Sequence, residues 1–492
     1  MERIAHINLG RLYYGIDPER AHNHCKHSLE LSEIISGNLV EEEHKLKFSV
    51  RLSDAYQWMV SLCINLEKKE EAFEYTERSK SRAFLDLLAA TDIKPTIDLT
   101  GELQSLFHVE GIYLNRLREI QTRHLREIKP PIEPGEVERI RENLIQIYDK
   151  IEEFDPEYVF TRRGNPSSAN EIQKILSLQK RDIVLIEYFV ARDETFIFII
   201  SSKDKNLYIK TVPLSSETLS KSLGDYRRKM VYYSYFQSDS TLFDLTKYLV
   251  EPLSDYLNEG DLIYFVPYGL LHYLPLHALE LDHEPLIKNY PVAYLPSASS
   301  LRFCQKKGSG TLQSCASFGV EFEEEAKEVA ELLNTEAYND HMATKDMVLK
   351  NCTKDIIHLA CHGYFNREDP LSSGVQLHDG ILIVREIFNM RLTTELVTLS
   401  ACQTGISERN PGDELIGLTR AFLYAGAPSL IVSLWPVYSP STQELMTEFY
   451  TWLKKGEDKA TALQQAQKAI MKKEKYSHPY FWAPFVLVGD WK

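Results

Sequence analysis

A histidine and a cysteine stand at the ends of two apolar runs in the second half of the chain. The run DIIHLACHG ends at His362 and Gly363, and the run LVTLSACQTG reaches Cys402 just before a glycine-bearing turn. Cysteine peptidases need a thiolate, a base within hydrogen-bond reach and backbone donors for the oxyanion. Cys402 can supply the thiol, and His362 can take its proton and later return it to the leaving amine. We expect the N–H groups of Gly363 and Cys402 to be the oxyanion donors, because glycine lets a substrate approach the backbone closely.

Purely structural roles for these residues remain open at this point. A cysteine at a strand end commonly packs in the hydrophobic core, and a histidine commonly serves as a polar residue whose hydrogen bonds are made within the fold. Cys361 neighbours His362, but alternation along a strand would point it to the opposite face. A zinc site made of Cys361, His362 and His378 matches no common ligand spacing. Cys25 and Cys63 occupy apolar positions of the helical region, where buried structural thiols are common. Cys304, Cys315 and Cys352 have no adjacent base or glycine turn.

The elements that must position these groups are predicted from hydrophobic periodicity. From residue 182 onward, short β-branched and aromatic runs alternate with helical patterns, which predicts a mostly parallel α/β sheet. Ligands of such sheets bind at the carboxyl ends of the strands, where His362 and Cys402 are placed. The first three strands are predicted as a meander or hairpin. The predicted strands are Ile183–Val190, Thr195–Ile200, Leu207–Val212, Leu262–Val266, Ala316–Val320, Ile356–His362, Leu396–Cys402, Leu430–Leu434 and Phe485–Val488.

The first part of the chain is predicted to be helical. Residues 1–95 resemble degenerate tetratricopeptide repeats, with Tyr56, Cys63 and Ala72 at repeat-like positions. The alternative is a generic helical bundle. Residues 96–165 are predicted to form an antiparallel helical hairpin, because two amphipathic stretches flank a proline-rich break.

Length and charge limit the class of protein. A chain of 492 residues exceeds one ordinary domain. Its net charge is −15, which argues against a large nucleic-acid surface. The chain has no apolar run of the roughly 18 residues that a bilayer requires, and its start lacks a signal-peptide pattern. Seven scattered cysteines without a CxxC pair fit free thiols in a reducing cytoplasm.

The motifs together resemble the CHAT domain, a caspase-like domain of proteins that carry tetratricopeptide repeats. The resemblance covers nearly the whole chain and follows one order. The helix that closes such repeat arrays is matched by EEAFEYTERSKSRAFLDLL (70–88). The matching segments of the domain are LIYFVPYGLLHYLPLHAL (262–279), YPVAYLPSASSL (290–301), IIHLACHG (356–363), LVTLSACQTG (396–405), GDELIGLTRAFLYAGAPSLIVSLWPV (412–437), STQELMTEFYTWL (441–453), ATALQQAQKAI (460–470) and HPYFWAPFVLVGD (478–490).

This resemblance implies a fold and an activity. The fold would be helical repeats and a hairpin, then a caspase-like α/β domain with an N-terminal half at 166–310 and a catalytic half at 311–492. His362 matches the catalytic histidine of the family and Cys402 its nucleophile. The family is similar to caspases and separase, which cut after a chosen P1 residue and need no metal or other cofactor. Many relatives carry an acidic residue where this chain has Ser439. The difference bears on the loop or the substrate pocket and leaves the dyad unchanged.

The resemblance also implies partners. A protein substrate is expected, together with a protein activator or inhibitor bound by the helical repeats. Bacterial relatives resemble effectors of stress, death or defence pathways. A non-catalytic caspase-like scaffold is the alternative, and the intact dyad argues against it.

Acidic residues near the dyad in sequence predict a pocket for a basic P1 side chain. Asp379, Glu386, Asp413 and Glu414 are the candidates. Asp413 also precedes an apolar periodic run, so the same residue suits a helix N-cap.

Overall fold

The computed structural model divides the chain into two compact units, Met1–Pro166 and Ser167–Lys492. The first unit is helical and the second combines helices with a large sheet. This order confirms the predicted fold class. The structure describes residues 2–36, 42–88, 101–125, 136–155, 158–159, 166–231, 241–302, 304, 312–366, 369–400, 403–404 and 413–492.

The first unit consists of helices joined in pairs. Gly10 lies where two of them meet, and a Cβ at this position would stand only 2.6 Å from the Cys25 sulfur, so glycine permits the close approach. In the turn at 66–68, Glu67 adopts a left-handed backbone with φ 59°, and the chain reverses direction there. The helices are α1 (Glu2–Tyr13), α2 (Pro18–Ser36), α3 (Glu42–Asn65), α4 (Lys69–Leu88), α5 (Gly101–Leu125) and α6 (Glu136–Glu152).

Helices α5 and α6 are antiparallel. In the second half of α5, Arg116 Nε donates to Glu136 at the start of α6 over 2.8 Å. In the first half of α5, the buried Glu110 accepts from the Tyr148 hydroxyl, near the end of α6, over 2.9 Å. The Tyr158 hydroxyl donates to the same carboxylate over 2.7 Å. Two phenol donors thus satisfy a buried acid that would otherwise destabilise the hairpin.

Eleven strands of the second unit, within the described residues, form one sheet in the order β3-β2-β1-β4-β7-β17-β16-β14-β10-β8-β9. Neighbouring strands are parallel except at β3–β2, β2–β1 and β16–β17. These strands are β1 (Ile183–Val190), β2 (Thr195–Ser201), β3 (Leu207–Val212), β4 (Leu262–Val266), β7 (Val292–Tyr294), β8 (Cys315–Gly319), β9 (Ala337–Asn339), β10 (Ile356–Ala360), β14 (Leu396–Leu399), β16 (Ser429–Ser433) and β17 (Phe485–Gly489).

A smaller sheet continues from the carboxyl ends of β10 and β14. Its order is β13-β12-β11-β15, and β11 and β15 are parallel to each other. A two-stranded ribbon lies elsewhere in the unit. The strands are β5 (Glu280–Leu281), β6 (Glu284–Pro285), β11 (Gly363–Tyr364), β12 (Gly374–Leu377), β13 (Gly380–Ile383) and β15 (Gln403–Thr404).

Side-chain caps fix where several helices of the second unit begin. Ser168 and Glu171 form a capping box at one helix, and the Asp458 side chain accepts from the Thr461 N–H over 2.7 Å at another. The helices are α7 (Ala169–Ser177), α8 (Ser216–Val231), α9 (Thr241–Leu249), α10 (Leu286–Asn289), α11 (Glu323–Leu332), α12 (Lys345–Lys350), α13 (Val384–Ile387), α14 (Asp413–Ala425), α15 (Ser439–Lys454), α16 (Lys459–Met471) and α17 (Pro479–Trp482).

Several elements end earlier than their sequence patterns indicate. A helical pattern runs from 242 to 257 in the sequence, but the helix ends at Leu249 and a 3-10 helix follows at Glu251–Tyr256. Pro252 explains the break, because proline has no N–H and clashes with the preceding turn. The strands expected to reach His362 and Cys402 end at Ala360 and Leu399, about level with the end of β8 beside β10.

The described part of the chain contains free thiols and no disulfide among them. Across the same residues, no helix combines the length and apolar character that a membrane crossing needs.

Candidate active site

The two motifs lie on neighbouring strands. In the large sheet, Ile356 of β10 pairs with Leu396 of β14. Beyond the ends of these strands, Gly363 of β11 pairs with Gln403 of β15. The sequence prediction that the two strands are close in one sheet is therefore confirmed. Cys402 lies outside the described residues, which resume at Gln403.

His362 lies between β10 and β11 at the carboxyl edge of the large sheet. Its Nε2 atom stands 2.9 Å from Oε2 of Glu321. The ring of Phe322 meets the imidazole edge-on, with 5.0 Å between the ring centroids. The His362 side chain is 31% exposed and that of Glu321 is 72% exposed. A substrate in solvent can therefore reach this histidine.

The carboxylate determines which nitrogen of His362 carries the proton. A carboxylate accepts hydrogen bonds only, so Nε2 must be the donor and Nδ1 keeps its lone pair in the neutral ring. Nδ1 is buried and makes no hydrogen bond with any described residue. The ring thus presents a free proton acceptor on the side opposite Glu321, as a general base must.

Glu321 is a site residue that the sequence analysis missed. It follows β8, the strand beside β10, in a left-handed backbone conformation with φ 67°. Gly319 makes the turn compact, because a Cβ there would lie 2.9 Å from Glu323 Cα. The glycine after a predicted strand was a local signal of this turn. Only the sheet order, with β8 next to β10, brings the turn to His362.

The histidine within β10, His358, belongs to the core. His358 Nδ1 lies 3.1 Å from the Tyr450 hydroxyl, and its Nε2 lies 3.2 Å from Oε1 of Glu325. The Tyr450 hydroxyl also bonds Thr398 Oγ1 over 2.7 Å. This cluster joins β10, β14, α11 and α15 beneath the edge where His362 lies.

Burial keeps several other cysteines protonated. Burial raises the pKa of Cys25 to about 11 and that of Cys315 to about 12. It also raises the pKa of Cys63 and of Cys361 well above the ordinary thiol range. Since the thiolate is the nucleophile, these four cysteines do not suit covalent catalysis.

The acids predicted for a P1 pocket differ in their surroundings. The exposed Asp379 accepts from the Lys345 N–H over 3.0 Å at the start of α12. Glu386 pairs with the Lys345 ammonium over 3.0 Å and accepts from the Ile383 N–H over 3.0 Å. Helix α14 begins at Asp413, and the side chains of Asp413 and Glu414 lie outside the described residues.

The predicted oxyanion donor Gly363 lies in β11. This strand has β12 on one side and β15 on the other, so the backbone of Gly363 is enclosed within the small sheet. The second predicted donor, Cys402, lies outside the described residues.

The open alternative of a zinc site at the sheet edge finds no support in the described residues. His378 Nδ1 lies 3.2 Å from Asp340 Oδ1, whereas His362 faces Glu321. The described side chains do not bring Cys361, His362 and His378 together as metal ligands.

Curated relatives match part of the chain. Tetratricopeptide repeat protein 28 of Mus musculus is 31% identical over 207 residues, covering 34% of this chain and 8% of the relative. The Homo sapiens protein of the same name is 30% identical over 207 residues, with the same coverage of 34% and 8%. The chain therefore matches only a small part of the length of these relatives.

Two solved structures match the chain at low similarity. The Saccharomyces cerevisiae separase–securin complex matches with a TM-score of 0.46 at 10% identity, covering 98% of this chain and 48% of that chain. The Arg-specific cysteine proteinase gingipain R matches with a TM-score of 0.36 at 11% identity, covering 52% of this chain and 68% of that chain. Both scores are low, so nothing about activity follows from them.

The profile of the CHAT domain family matches residues 240–490, which include β4, β10, β14 and β17. The matched range is just over half of the chain. It contains both the His362 and the Cys402 motifs, in the order that the sequence resemblance gave. This chain therefore belongs to the CHAT domain family.

Proposed function

We propose that the chain is a cysteine endopeptidase in which His362 is the general base and Cys402 the nucleophile. The observation that carries the proposal is the strand register on both sides of the dyad. Leu359 pairs with Leu399 before it and Gly363 pairs with Gln403 after it, each forty positions apart. His362 and Cys402 are also forty positions apart in the sequence. The residue offset between paired positions is therefore the same before and after the dyad. This is the condition for Cys402 to lie opposite His362.

The state of His362 supports its role as the base. Its Nδ1 atom is buried, has no hydrogen-bond partner among the described residues, and carries the lone pair. In the proposed reaction, Nδ1 takes the thiol proton of Cys402 as the sulfur attacks the substrate carbonyl carbon. The tetrahedral intermediate then loses the amine, which receives that proton from His362. Water, deprotonated by the same nitrogen, cleaves the acyl–sulfur bond and regenerates the thiol.

Glu321 is proposed as the positioning residue for this base. Its carboxylate holds the Nε2–H over 2.9 Å and so keeps the lone pair on Nδ1. When Nδ1 gains the proton, the negative charge of Glu321 stabilises the imidazolium. The effect is moderate, since a carboxylate that is 72% exposed is screened by water.

The substrate is proposed to be a protein with a basic P1 residue. The pocket acids stay as predicted, namely Asp379, Asp413 and Glu414. Asp379 is exposed and accepts from the Lys345 backbone N–H, whereas Glu386 is paired with the Lys345 ammonium. The oxyanion donors stay as predicted from the sequence, namely the N–H groups of Gly363 and Cys402. Ser439 is the first residue of α15, the helix that follows β16. Because β16 pairs with β14, the strand that precedes Cys402, this position fits a role in loop or pocket detail.

The helical unit is proposed to bind the protein substrate or a regulatory protein. Its paired helices resemble repeats whose concave surfaces hold peptides and proteins. Regulation through such a partner, a role in bacterial stress or defence, and a cytoplasmic location stay predictions of the resemblance.

The test uses peptidyl electrophiles that differ only in the P1 side chain. Intact mass is measured after treatment of the wild type, Cys402→Ala, and Cys352→Ala as a control that removes a partly exposed thiol. The proposal predicts one adduct with Arg or Lys at P1, lost in Cys402→Ala and kept in Cys352→Ala. An adduct that survives Cys402→Ala would assign the nucleophile elsewhere. Absence of any Cys402 adduct, also with candidate partner proteins present, would favour the non-catalytic scaffold.

A further inference from the structure

Three helices of the first unit bring together a histidine, a cysteine and a glutamate. His22 lies in α2, Cys63 near the end of α3, and Glu71 in the first turn of α4. One ligand atom from each of them lies within 4.8 Å of the others. Among the described residues, no other group of three or more such side chains meets this criterion.

The cluster is buried, and its histidine is unsatisfied. His22 is 4% exposed and Cys63 is 0% exposed. Nε2 of His22 lies 3.0 Å from Oε2 of Glu71, yet neither ring nitrogen forms a hydrogen bond with a described residue. A histidine buried only for packing would normally pair its nitrogens, because an unpaired buried polar group destabilises the fold. His22 Nε2 thus faces the Glu71 carboxylate without hydrogen-bond geometry, Nδ1 has no described partner, and the Cys63 thiol lies beside them, which is a donor set suited to a metal ion.

We propose that His22, Cys63 and Glu71 bind a divalent transition-metal ion of the zinc class. Imidazole nitrogen, thiolate sulfur and carboxylate oxygen are the three donor types that zinc takes in proteins. Burial keeps Cys63 protonated while no ion is bound, so binding of the ion releases the thiol proton to solvent. The resulting thiolate and the Glu71 carboxylate balance the charge of a divalent ion, and the imidazole stays neutral. The fourth position of a tetrahedral ion is left for water.

The surroundings fit entry of an ion and a structural role. The Glu71 side chain is 26% exposed, so the cluster has one side open to solvent. Lys68, in the turn that connects α3 to α4, pairs with Glu19, whose carboxylate lies 2.8 Å from its ammonium. A bound ion would tie α2 to both α3 and α4. It would therefore stabilise the helical unit without taking part in the proposed peptidase chemistry.

The test is made on the full chain carrying Cys402→Ala, so that the proposed dyad cannot bind metal. Zinc content after dialysis is measured by mass spectrometry of the metal. Cobalt titration then reports the ligands, because a thiolate bound to Co²⁺ gives a near-ultraviolet charge-transfer band. We expect one ion per chain and a charge-transfer band that is absent from Cys63→Ser. His22→Gln should weaken binding by more than about tenfold, the smallest loss typical of changes around metal ligands.

Two control variants separate this site from others in the helical unit. Cys25→Ser removes another buried thiol, and His24→Gln removes a histidine that lies 3.0 Å from His6. Both should keep the band and the stoichiometry. Loss of the band in either control, survival of the band in Cys63→Ser, or absence of retained metal would overturn the proposal. If circular dichroism shows that Cys63→Ser is misfolded, the comparison of His22→Gln with His24→Gln decides.

Discussion

Two glutamate–histidine pairs occupy different regions of the second unit. Glu325 and His358 lie in the core, 3.2 Å apart, with side chains 3% and 0% exposed. Glu321 and His362 lie at the sheet edge, 2.9 Å apart, with side chains 72% and 31% exposed. The residue types are the same, but the surroundings are not.

The difference shows how position in the sheet assigns a role. His358 has Tyr450 on one nitrogen and Glu325 on the other, so neither side of its ring is open to a substrate. His362 has Glu321 on one nitrogen and no described partner on the other. The core pair is suited to joining strands and helices, whereas the edge pair is suited to moving a proton.

The largest effect is expected from His362→Ala. Loss of the base should slow modification of Cys402 by its best peptidyl electrophile by about 10³-fold. The free energy of unfolding should change by less than about 0.5 kcal/mol, because the site is partly exposed. His378→Ala, at an exposed histidine paired with Asp340, is the matched control. Equal rates of Cys402 modification in His362→Ala and in the wild type would contradict the role of His362 as the base.

The next largest effect is expected from His358→Ala. It leaves Glu325 buried without its partner and opens a cavity, which should lower the free energy of unfolding by about 3 kcal/mol. Urea unfolding followed by tryptophan fluorescence measures this, since four of the five tryptophans lie in the second unit. A loss below about 0.5 kcal/mol, the range of ordinary surface changes, would contradict a structural role for the core pair.

Acid should destabilise the second unit through another core histidine, His277. Its Nδ1 bonds the Tyr294 hydroxyl over 2.9 Å, and its Nε2 faces the Gln467 amide nitrogen over 3.3 Å. Burial lowers its pKa to about 3. Below the unfolded pKa of about 6.5, this histidine binds a proton in the unfolded chain but not in the folded chain. The free energy of unfolding therefore falls as pH falls.

The expected loss from this histidine between pH 6.5 and pH 5 is about 2 kcal/mol. It is measured as the difference in urea unfolding free energy between the two pH values. His277→Gln should remove this part of the pH dependence, and the exposed His341→Gln should not. An unchanged pH dependence in His277→Gln would show that the core histidine does not control acid stability.

The smallest effect is expected from Glu321→Gln. Removing the negative charge beside the His362 imidazole should slow Cys402 modification by about tenfold, in line with a partly exposed, screened carboxylate. With a peptide substrate, kcat should fall while KM stays constant, since Glu321 acts through His362. Glu324→Gln changes a nearby acid that pairs with Lys327 and should have no effect. A change in KM alone would instead place Glu321 in substrate binding.

Local sequence patterns identified most elements of the second unit. Strands β1, β3 and β4 have the predicted bounds, because short β-branched and aromatic runs already indicate buried strands. The IIHLACHG and LVTLSACQTG motifs were also predicted to form nearby strands of one sheet, and β10 and β14 are neighbours. Periodicity did not identify the break at Pro252, although the proline was visible in the sequence.

The tertiary structure decided which distant segments meet. Glu321 reaches His362 only because β8 lies beside β10, and the sequence does not state the order of strands in a sheet. In the same way, His22 is distant in sequence from Cys63 and Glu71 and meets them only where three helices pack. Residue type and spacing determined the candidate chemistry within each motif. Non-local packing determined the partners of each group, because those contacts depend on the whole fold.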